Sequence, residues 1–400
     1  MNNPNILFVS WQGGMGHVTR DLAIVKELRK IAPEINVSWI AHPQAAKFLL
    51  DSGEKLIPET KEVSDYNLVG AQILQNFRLD LVKYAKLSSN PKQNNAKLLE
   101  KVQNKYQFDL IVGDEIYGPL VALAKGNIKL NVPIIMIEDF IRYQSLSKNP
   151  LMRIVAFSKN RLLSSSVEKT ASQITHFFVG EWEDIPNKRF DIFLPHCRDF
   201  AKKHYEIIGY ILRFDPKKYQ NKKEIREKLG YGSEQLVICA TGGTAAGKEL
   251  LELCGKAYTI LKKEISDLRM IFVCGELYGK EPPKLPPDVE LHRFLHNIYE
   301  HYAACDLAVV VGGGTTTIEL TALKVPFIFF PIDNQFDQQI YVSNRILRHK
   351  AGIRMEYRKT TPEKMAVVIK DNIGKKPDTP KIPFNGAQKA AEIIAKRLIN

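Results

Sequence analysis

The chain has 400 residues, 44% of them hydrophobic and 25% charged, with a formal net charge of +13. That length is about two to three times a usual domain, so two domains are expected, each with enough apolar material for its own core; a disordered chain is excluded. The positive balance favours anionic partners such as phosphorylated ligands or an acidic membrane face, but no helix-turn-helix, zinc-finger or RNA-recognition signature accompanies it, so nucleic acid is not expected as a partner.

The N-terminus runs straight into an apolar strand, Ile6–Ser10, with no basic stretch or cleavage site, which argues against a secretory signal. Further short apolar runs at Val37–Ala41, Leu110–Val112, Ile134–Ile137 and Phe177–Val179 read as buried strands. Leu22–Ile31, Ala71–Ala85 and Leu120–Lys125 between them read as helices. Such alternation predicts βαβ units and a parallel sheet covered on both faces. The segment Arg142–Thr175 sets Arg142, Lys148, Arg153, Lys159, Arg161 and Lys169 against one acid, Glu168, with apolar residues interleaved. That mixture suits either a membrane surface or a solvated helix face with a buried stripe.

The turn-rich passage Ile207–Pro216 reads as a hinge, and the pattern then restarts with strands at Leu236–Ala240, Met270–Cys274, Leu307–Val311 and Phe327–Phe330. Helices are expected at Lys248–Lys263 and Thr317–Leu323. The fold class is therefore α/β, two doubly wound Rossmann-like domains, 1–208 and 209–385, facing across a cleft; such sheets bind ligands at the carboxyl ends of their strands. The longest apolar stretches, such as Val325–Ile332, fall well short of a membrane span. Five cysteines, odd in number and never in a Cys-x-x-Cys pair, fit a reducing cytoplasm and argue against a disulfide framework or structural zinc.

Three glycine loops follow strands. The first, Gln12-Gly13-Gly14-Met15-Gly16-His17-Val18-Thr19-Arg20, has Thr19 where a dinucleotide fingerprint needs its third glycine, and no acid closes the second strand. Its glycines permit a tight strand-to-helix turn and leave His17 at a helix N-terminus. The second, Thr241–Glu249, nearly spells a phosphate-binding loop, but Glu249 stands where a magnesium-holding hydroxyl belongs, so an ATPase is not expected; its amides still suit a diphosphate. The third, Gly312–Glu319, brings three glycines and three threonines to a helix N-terminus with Glu319 in the first turn. Backbone and hydroxyl donors there suit a phosphate, and the carboxylate suits ribose hydroxyls. Asp337, Gln338 and Gln339 offer donors and acceptors for sugar hydroxyls.

The series Gly313-Gly314-Thr315-Thr316-Thr317-Ile318-Glu319, then Pro326, Pro331 and Gln338-Gln339, resembles the donor motif of the GT-B nucleotide-sugar glycosyltransferases. It is similar especially to the branch containing the peptidoglycan N-acetylglucosaminyltransferase, with kinship to the UDP-glycosyltransferases. The resemblance spans nearly the whole chain. It implies an inverting, metal-independent transferase that moves a hexosyl or N-acetylhexosaminyl group from a nucleoside-diphosphate sugar, UDP-linked, to a hydroxyl acceptor; the absence of an Asp-x-Asp motif agrees.

Carried over, the resemblance makes Gly313, Gly314, Thr315 and Thr316 diphosphate contacts, Glu319 the ribose ligand, and Asp337, Gln338 and Gln339 sugar contacts. Gly243 and Thr244 match a second diphosphate contact, Phe294-Leu295 the base-reading segment, and the last helix, 386–400, one that crosses back to the N-terminal domain. Gly16-His17 resembles the family's glycine–histidine pair, with His17 as general base and Asp114 as its carboxylate partner, and Gly14, Gly16 and Arg20 forming the acceptor loop. Arg20 replaces the family's usual proline and has two readings, an anion-binding group or a salt-bridge partner. Val311 stands where relatives carry a basic phosphate contact. Glu115 competes with Asp114 as partner to His17, although strand alternation points the two to opposite faces. The resemblance implies a cytoplasmic enzyme, peripheral on the inner membrane face if its acceptor is lipid- or polyprenyl-linked. A transferase with a soluble small-molecule acceptor and a sugar-nucleotide epimerase of the same fold remain alternatives; retention of both His17 and Asp114 argues against a non-catalytic binding module.

Overall fold

The computed structural model describes residues 3–147, 149–242, 247–275 and 282–399; Lys148, Gly243 and Thr244 lie outside them. In chain order, β1 (Asn5–Ser10), α1 (Met15–Ile31), β2 (Asn36–Ala41) and α2 (Pro43–Asp51) come first. Then come α3 (Tyr66–Ile73), the two-residue strands β3 (Leu74–Gln75) and β4 (Arg78–Leu79), and α4 (Leu81–Lys105). β5 (Leu110–Asp114), α5 (Tyr117–Ala124), β6 (Ile134–Glu138), α6 (Pro150–Lys169), β7 (Ile174–Val179), α7 (Cys197–His204) and β8 (Tyr205–Gly209) follow. The second half has α8 (Lys222–Leu229), β9 (Gln235–Ala240), α9 (Gly247–Leu261), β10 (Leu268–Val273), β11 (Glu290–His292) and α10 (Ile298–Ala304). It continues with β12 (Leu307–Val311), α11 (Gly314–Ala322), β13 (Phe327–Phe330), α12 (Ser343–Arg348), β14 (Gly352–Arg354), α13 (Pro362–Asn372) and α14 (Gly386–Ile399).

Two compact units result: Met1–Val69 with Val82–Arg213 and Pro383–Asn400, and Gly70–Leu81 with Phe214–Ile382. The first holds a six-stranded sheet in the order β2-β1-β5-β6-β7-β8, the second one in the order β11-β10-β9-β12-β13-β14, and every pairing in both is parallel. Parallel strands buried on both faces explain the unbroken apolar runs. Along β1, Ile6 and Phe8 face one core with α1 and α14, while Leu7 and Val9 face the other with α4 and α5. Each sheet reverses its strand order once, between β1 and β5 and between β9 and β12. Ligand crevices of open α/β sheets form at the carboxyl ends beside such switch points.

α14 packs on α1 and β8 of the first unit through Ala387, Ala390, Ala391 and Ile394. Among the described residues no helix is long and apolar enough to cross a membrane.

Two expectations need correction. The passage Ile207–Pro216 is not a hinge throughout, because Ile207–Gly209 completes β8, the edge strand of the first sheet. The helix expected at Ala71–Ala85 is broken by the antiparallel hairpin β3–β4. Its turn residues Asn76 and Phe77 both have positive φ, +48° and +60°, as the two-residue turns that match strand twist require. A left-handed Phe costs roughly 1–2 kcal/mol. Complete burial of its ring in the second unit's core, stacked on Tyr357 at 4.9 Å, offsets that with about 1.5–3 kcal/mol.

Candidate active site

At the first switch point, Gly14 caps α1 with φ 94° and ψ 149°, a conformation that favours glycine, and so turns the chain from β1 into the helix. His17 thus falls in the first turn of α1, and Arg20, three residues on, shares its face. β5 lies beside β1 in parallel register, Val9 opposite Gly113, and delivers Asp114 at its carboxyl end. His17 and Asp114 meet: Nδ1 is 2.9 Å from Oδ1.

Asp114 is completely buried, and Arg20 grips it with a fork, Nε to Oδ2 at 2.5 Å and Nη2 to Oδ1 at 2.5 Å. The third nitrogen of the guanidinium donates to Asp139 Oδ2 at 3.1 Å. Burial alone would raise the Asp114 pKa; the Arg20 guanidinium, then His17, outweigh it and hold the carboxyl well below its usual range. An ionised carboxylate only accepts, so in this contact it is His17 Nδ1 that carries the hydrogen. The 3.1 Å approach of Arg20 Nη2 to the same Nδ1 is therefore a contact between two donors that share one acceptor.

The surroundings are acidic. Burial, then the charge of Asp114, pushes the Asp21 carboxyl well up; burial, then Asp139, does the same to Glu115. Glu115 lies just past the strand with φ +49° and accepts from Gln12 Nε2 at 3.5 Å, so it is Asp114 that serves His17. His42, at the end of β2, is buried with its pKa pushed down to about 4 by burial and then by His17; it stays neutral and its Nδ1 accepts from Ala45 N at 3.4 Å. Gly16 does not face a ligand through its carbonyl, which accepts from Thr19 Oγ1 at 3.0 Å.

At the second switch point, α11 starts at Gly314 with Gly313 as its cap, so Glu319 stands in the second turn rather than the first, and is buried. Gly313, Gly314, Thr315 and Thr316 are half-buried at this N-terminus, where amide donors have no partner within the helix. Thr317 turns inward, its Oγ1 donating to Gly313 O at 2.8 Å. A Cβ on Gly312 would lie 3.0 Å from Pro331 Cα, so the turn after β12 and the loop after β13 pack backbone to backbone. The structure thereby brings Gly313–Thr316 beside Pro331–Gln339. Gln338 is buried and its Oε1 accepts from Ile332 N at 3.0 Å; Gln339 Nε2 donates to Pro331 O and Ile332 O, and its Oε1 accepts from Arg354 at 2.5 Å. Both amides shape the loop, and Asp337 opens a π-type turn, Asp337–Val342. Phe294 is exposed and Leu295 half-buried in the stretch between β11 and α10.

Asp139, Asp21 and the β3–β4 hairpin escaped the sequence reading. Asp139 had a readable signal, since it follows the strand Ile134–Glu138 directly and so lies at the same carboxyl edge as Asp114.

Residues 237–398 match the glycosyltransferase family 28 C-terminal domain. The UDP-N-acetylglucosamine--N-acetylmuramyl-(pentapeptide) pyrophosphoryl-undecaprenol N-acetylglucosamine transferase of Bacillus pumilus is 21% identical over 382 residues, 92% of this chain and 90% of that protein. Among solved structures, the glycotransferase of kitacinnamycin aligns with a TM-score of 0.61 at 15% identity, covering 100% of this chain and 96% of that one. Acinetobacter baumannii MurG aligns with a TM-score of 0.53 at 16% identity over 99% of both chains. These similarities join the two doubly wound sheets and the glycine-rich α11 N-terminus in one conclusion: the chain is a nucleotide-sugar glycosyltransferase of the GT-B fold.

Proposed function

We propose that the enzyme transfers a hexosyl or N-acetylhexosaminyl group from a UDP-sugar to the hydroxyl of a lipid-linked acceptor, with inversion and without a metal. The carrying observation is the His17–Asp114–Arg20 constellation at the first switch point. His17 Nε2 takes the acceptor proton as the oxygen attacks the anomeric carbon, and the bond from that carbon to the diphosphate oxygen breaks. The Asp114 carboxylate fixes the tautomer and balances the charge on the ring. Negative charge grows on the departing diphosphate, where the amides of Gly314–Thr316, with Gly243 and Thr244, stabilise it; the Gly313 amide is committed to Val311 O at 2.7 Å. Glu319 takes the ribose hydroxyls, Phe294-Leu295 the base, and the sugar meets Asp337 and the Gln339 Oε1, which accepts a sugar hydroxyl on its second lone pair beside the Arg354 bond.

A lipid acceptor and a peripheral position on an anionic membrane surface draw support from an exposed apolar face. Leu151, Ile154 and Val155, at helical spacing on α6, are 67%, 60% and 43% exposed, and Ile192 and Phe193 in the loop before α7 reach 77% and 88%. Buried Asn160 of α6 ties that loop to its helix by donating to Phe190 O, and Arg142, Arg153, Lys188 and Arg189 supply cations nearby in the chain. The Bacillus pumilus relative is itself named for a pyrophosphoryl-undecaprenol acceptor.

The test is release of free UDP over a panel of sugar nucleotides, with and without a lipid extract. Extract-dependent release supports the reading. Conversion of the donor sugar without any acceptor, seen by NMR, would instead make the enzyme an epimerase, and release with a water-soluble hydroxyl alone would remove the lipid.

A further inference from the structure

The loop Pro331–Gln339 is braced from inside by Gln338 and Gln339, and from outside by a segment more than 250 residues away in sequence. The β3–β4 hairpin belongs to the second unit although the chain on either side of it, up to Val69 and from Val82, belongs to the first. Arg78 of β4 forms an isolated parallel bridge with Asp333. Asp333 N donates to Phe77 O at 3.0 Å, Leu79 N donates to Asp333 O at 3.0 Å, and Asn334 Nδ2 donates to Leu79 O at 3.1 Å. Both backbone polar groups of Asp333 are thus committed to the hairpin, and Asn334 is held at φ +68°. Phe77 anchors the assembly, fully buried between Tyr357 and Phe330, the residue that ends β13 and leads into this loop.

We propose that the β3–β4 hairpin is a positioning element for the donor sugar: by clamping Asp333 and Asn334 it fixes where Asp337 and Gln339 meet the sugar hydroxyls. This rests on the reading of Pro331–Gln339 as the sugar-contacting loop. Two hydrogen-bonding side chains select among sugar epimers only if their backbone is held to a fraction of an ångström. On its N-terminal side β13 leads into the loop, and the bridge to Arg78 with the Asn334 bond to Leu79 O ties the loop to the hairpin as well. The nucleotide, held at the α11 N-terminus, does not depend on the clamp.

The experiment is calorimetric binding of UDP-N-acetylglucosamine, its C4 epimer UDP-N-acetylgalactosamine, and UDP alone to the full chain. Asn334→Asp keeps a residue tolerant of positive φ, removes the donor to Leu79 O and sets a carboxylate against it; Phe77→Leu retains an apolar anchor and Phe77→Ala removes it. Expected is a loss of about tenfold or more in UDP-sugar affinity for Asn334→Asp and Phe77→Ala. UDP affinity should be unchanged, discrimination between the epimers reduced, and Phe77→Leu intermediate. Should Phe77→Ala fail to fold, Asn334→Asp decides, because it touches one edge bond only. Equal weakening of UDP and UDP-sugar, or unaltered discrimination, overturns the proposal. Asp337→Asn and Gln339→Ala with the hairpin intact separate the two ideas. If these leave sugar binding unchanged, the sugar-loop reading fails and the proposal with it; if they weaken it while the hairpin variants do not, only the proposal fails.

Discussion

Arg20 and Asp114 form a two-pronged ion pair out of reach of water, with both guanidinium–carboxylate distances at 2.5 Å and the aspartate completely buried. Of the two readings open for Arg20, the salt bridge is the one realised. Its fork leaves Asp114 one orientation, and that orientation aims Oδ1 at His17 Nδ1.

Removing one member of a buried pair strands the other. Arg20→Met should therefore lower unfolding free energy by about 3–5 kcal/mol. Arg20→Lys, a point charge without the fork, should recover only part of it. Urea denaturation of the three proteins measures this, and an Arg20→Met variant as stable as the parent would show that the pair contributes nothing net.

The acid cluster makes a signed prediction with pH. Asp114 has a folded pKa below its unfolded value of about 3.9, so its contribution is present above that value and lost as pH falls below about 4. Asp21 is the reverse case: burial, then Asp114, raises its folded pKa well above the unfolded one. The stability tied to its proton is present below about pH 4 and is lost as pH rises towards the folded pKa. Asp21→Asn, which cannot ionise, should therefore stabilise the protein, and the gain in Tm should grow as pH rises above about 4. A gain that shrinks with pH would mean that Asp21 is ionised and held by Arg20.

His17→Ala should reduce kcat for transfer by about 10²–10⁴ while leaving UDP affinity within threefold, because the ring acts on the acceptor proton and not on the nucleotide. Asp114→Asn should cost about as much, since an amide oriented by Arg20 presents Nδ1 with the wrong partner and releases the tautomer. Single-turnover assays at saturating donor read both; near-normal transfer by His17→Ala would remove it from the mechanism.

The strand series, the carboxyl-edge location of the site and the meeting of His17 with Asp114 were legible because fully buried parallel strands announce themselves as apolar runs, and their carboxyl ends are where function gathers. The start of α11 was not, because three glycines followed by three threonines cap a helix equally well at several positions. The hairpin was hidden for a deeper reason. Its turn is Asn76-Phe77, without the glycine that usually marks such turns, and what stabilises it is a pocket between Tyr357 and Phe330 far along the chain. The roles of Gln338 and Gln339 are of the same kind: motif residues read as sugar contacts whose side-chain amides also hydrogen-bond their own loop.

Membrane docking has a sharp test in the exposed apolar face. Phe193→Asp with Ile154→Glu replaces two solvent-facing apolar side chains and places negative charge among Arg153, Lys188 and Arg189. Each large apolar group taken into the interface is worth about 1.5–3 kcal/mol, so the double variant should lose flotation with anionic liposomes while still releasing UDP with a detergent-dispersed acceptor. Flotation equal to the parent would remove this face from membrane binding, and a parent that never floats would favour a soluble acceptor.

Glu319 is the most exacting test of the donor assignment, because its carboxylate is buried in the second turn of α11 and a structural role would mimic a binding role in a simple knockout. Ribose recognition makes a demand that structure alone does not. A carboxylate bridging the vicinal hydroxyls loses one charge-assisted hydrogen bond, worth about 1.5–3 kcal/mol, when the 2′-hydroxyl is absent. The parent should therefore bind UDP about tenfold or more tightly than 2′-deoxy-UDP, and Glu319→Gln should bind both weakly and nearly equally. Calorimetry of the four combinations gives the coupling directly. If the preference for the 2′-hydroxyl survives in Glu319→Gln, another group reads the ribose, and Glu319 serves only to hold its helix against the sheet.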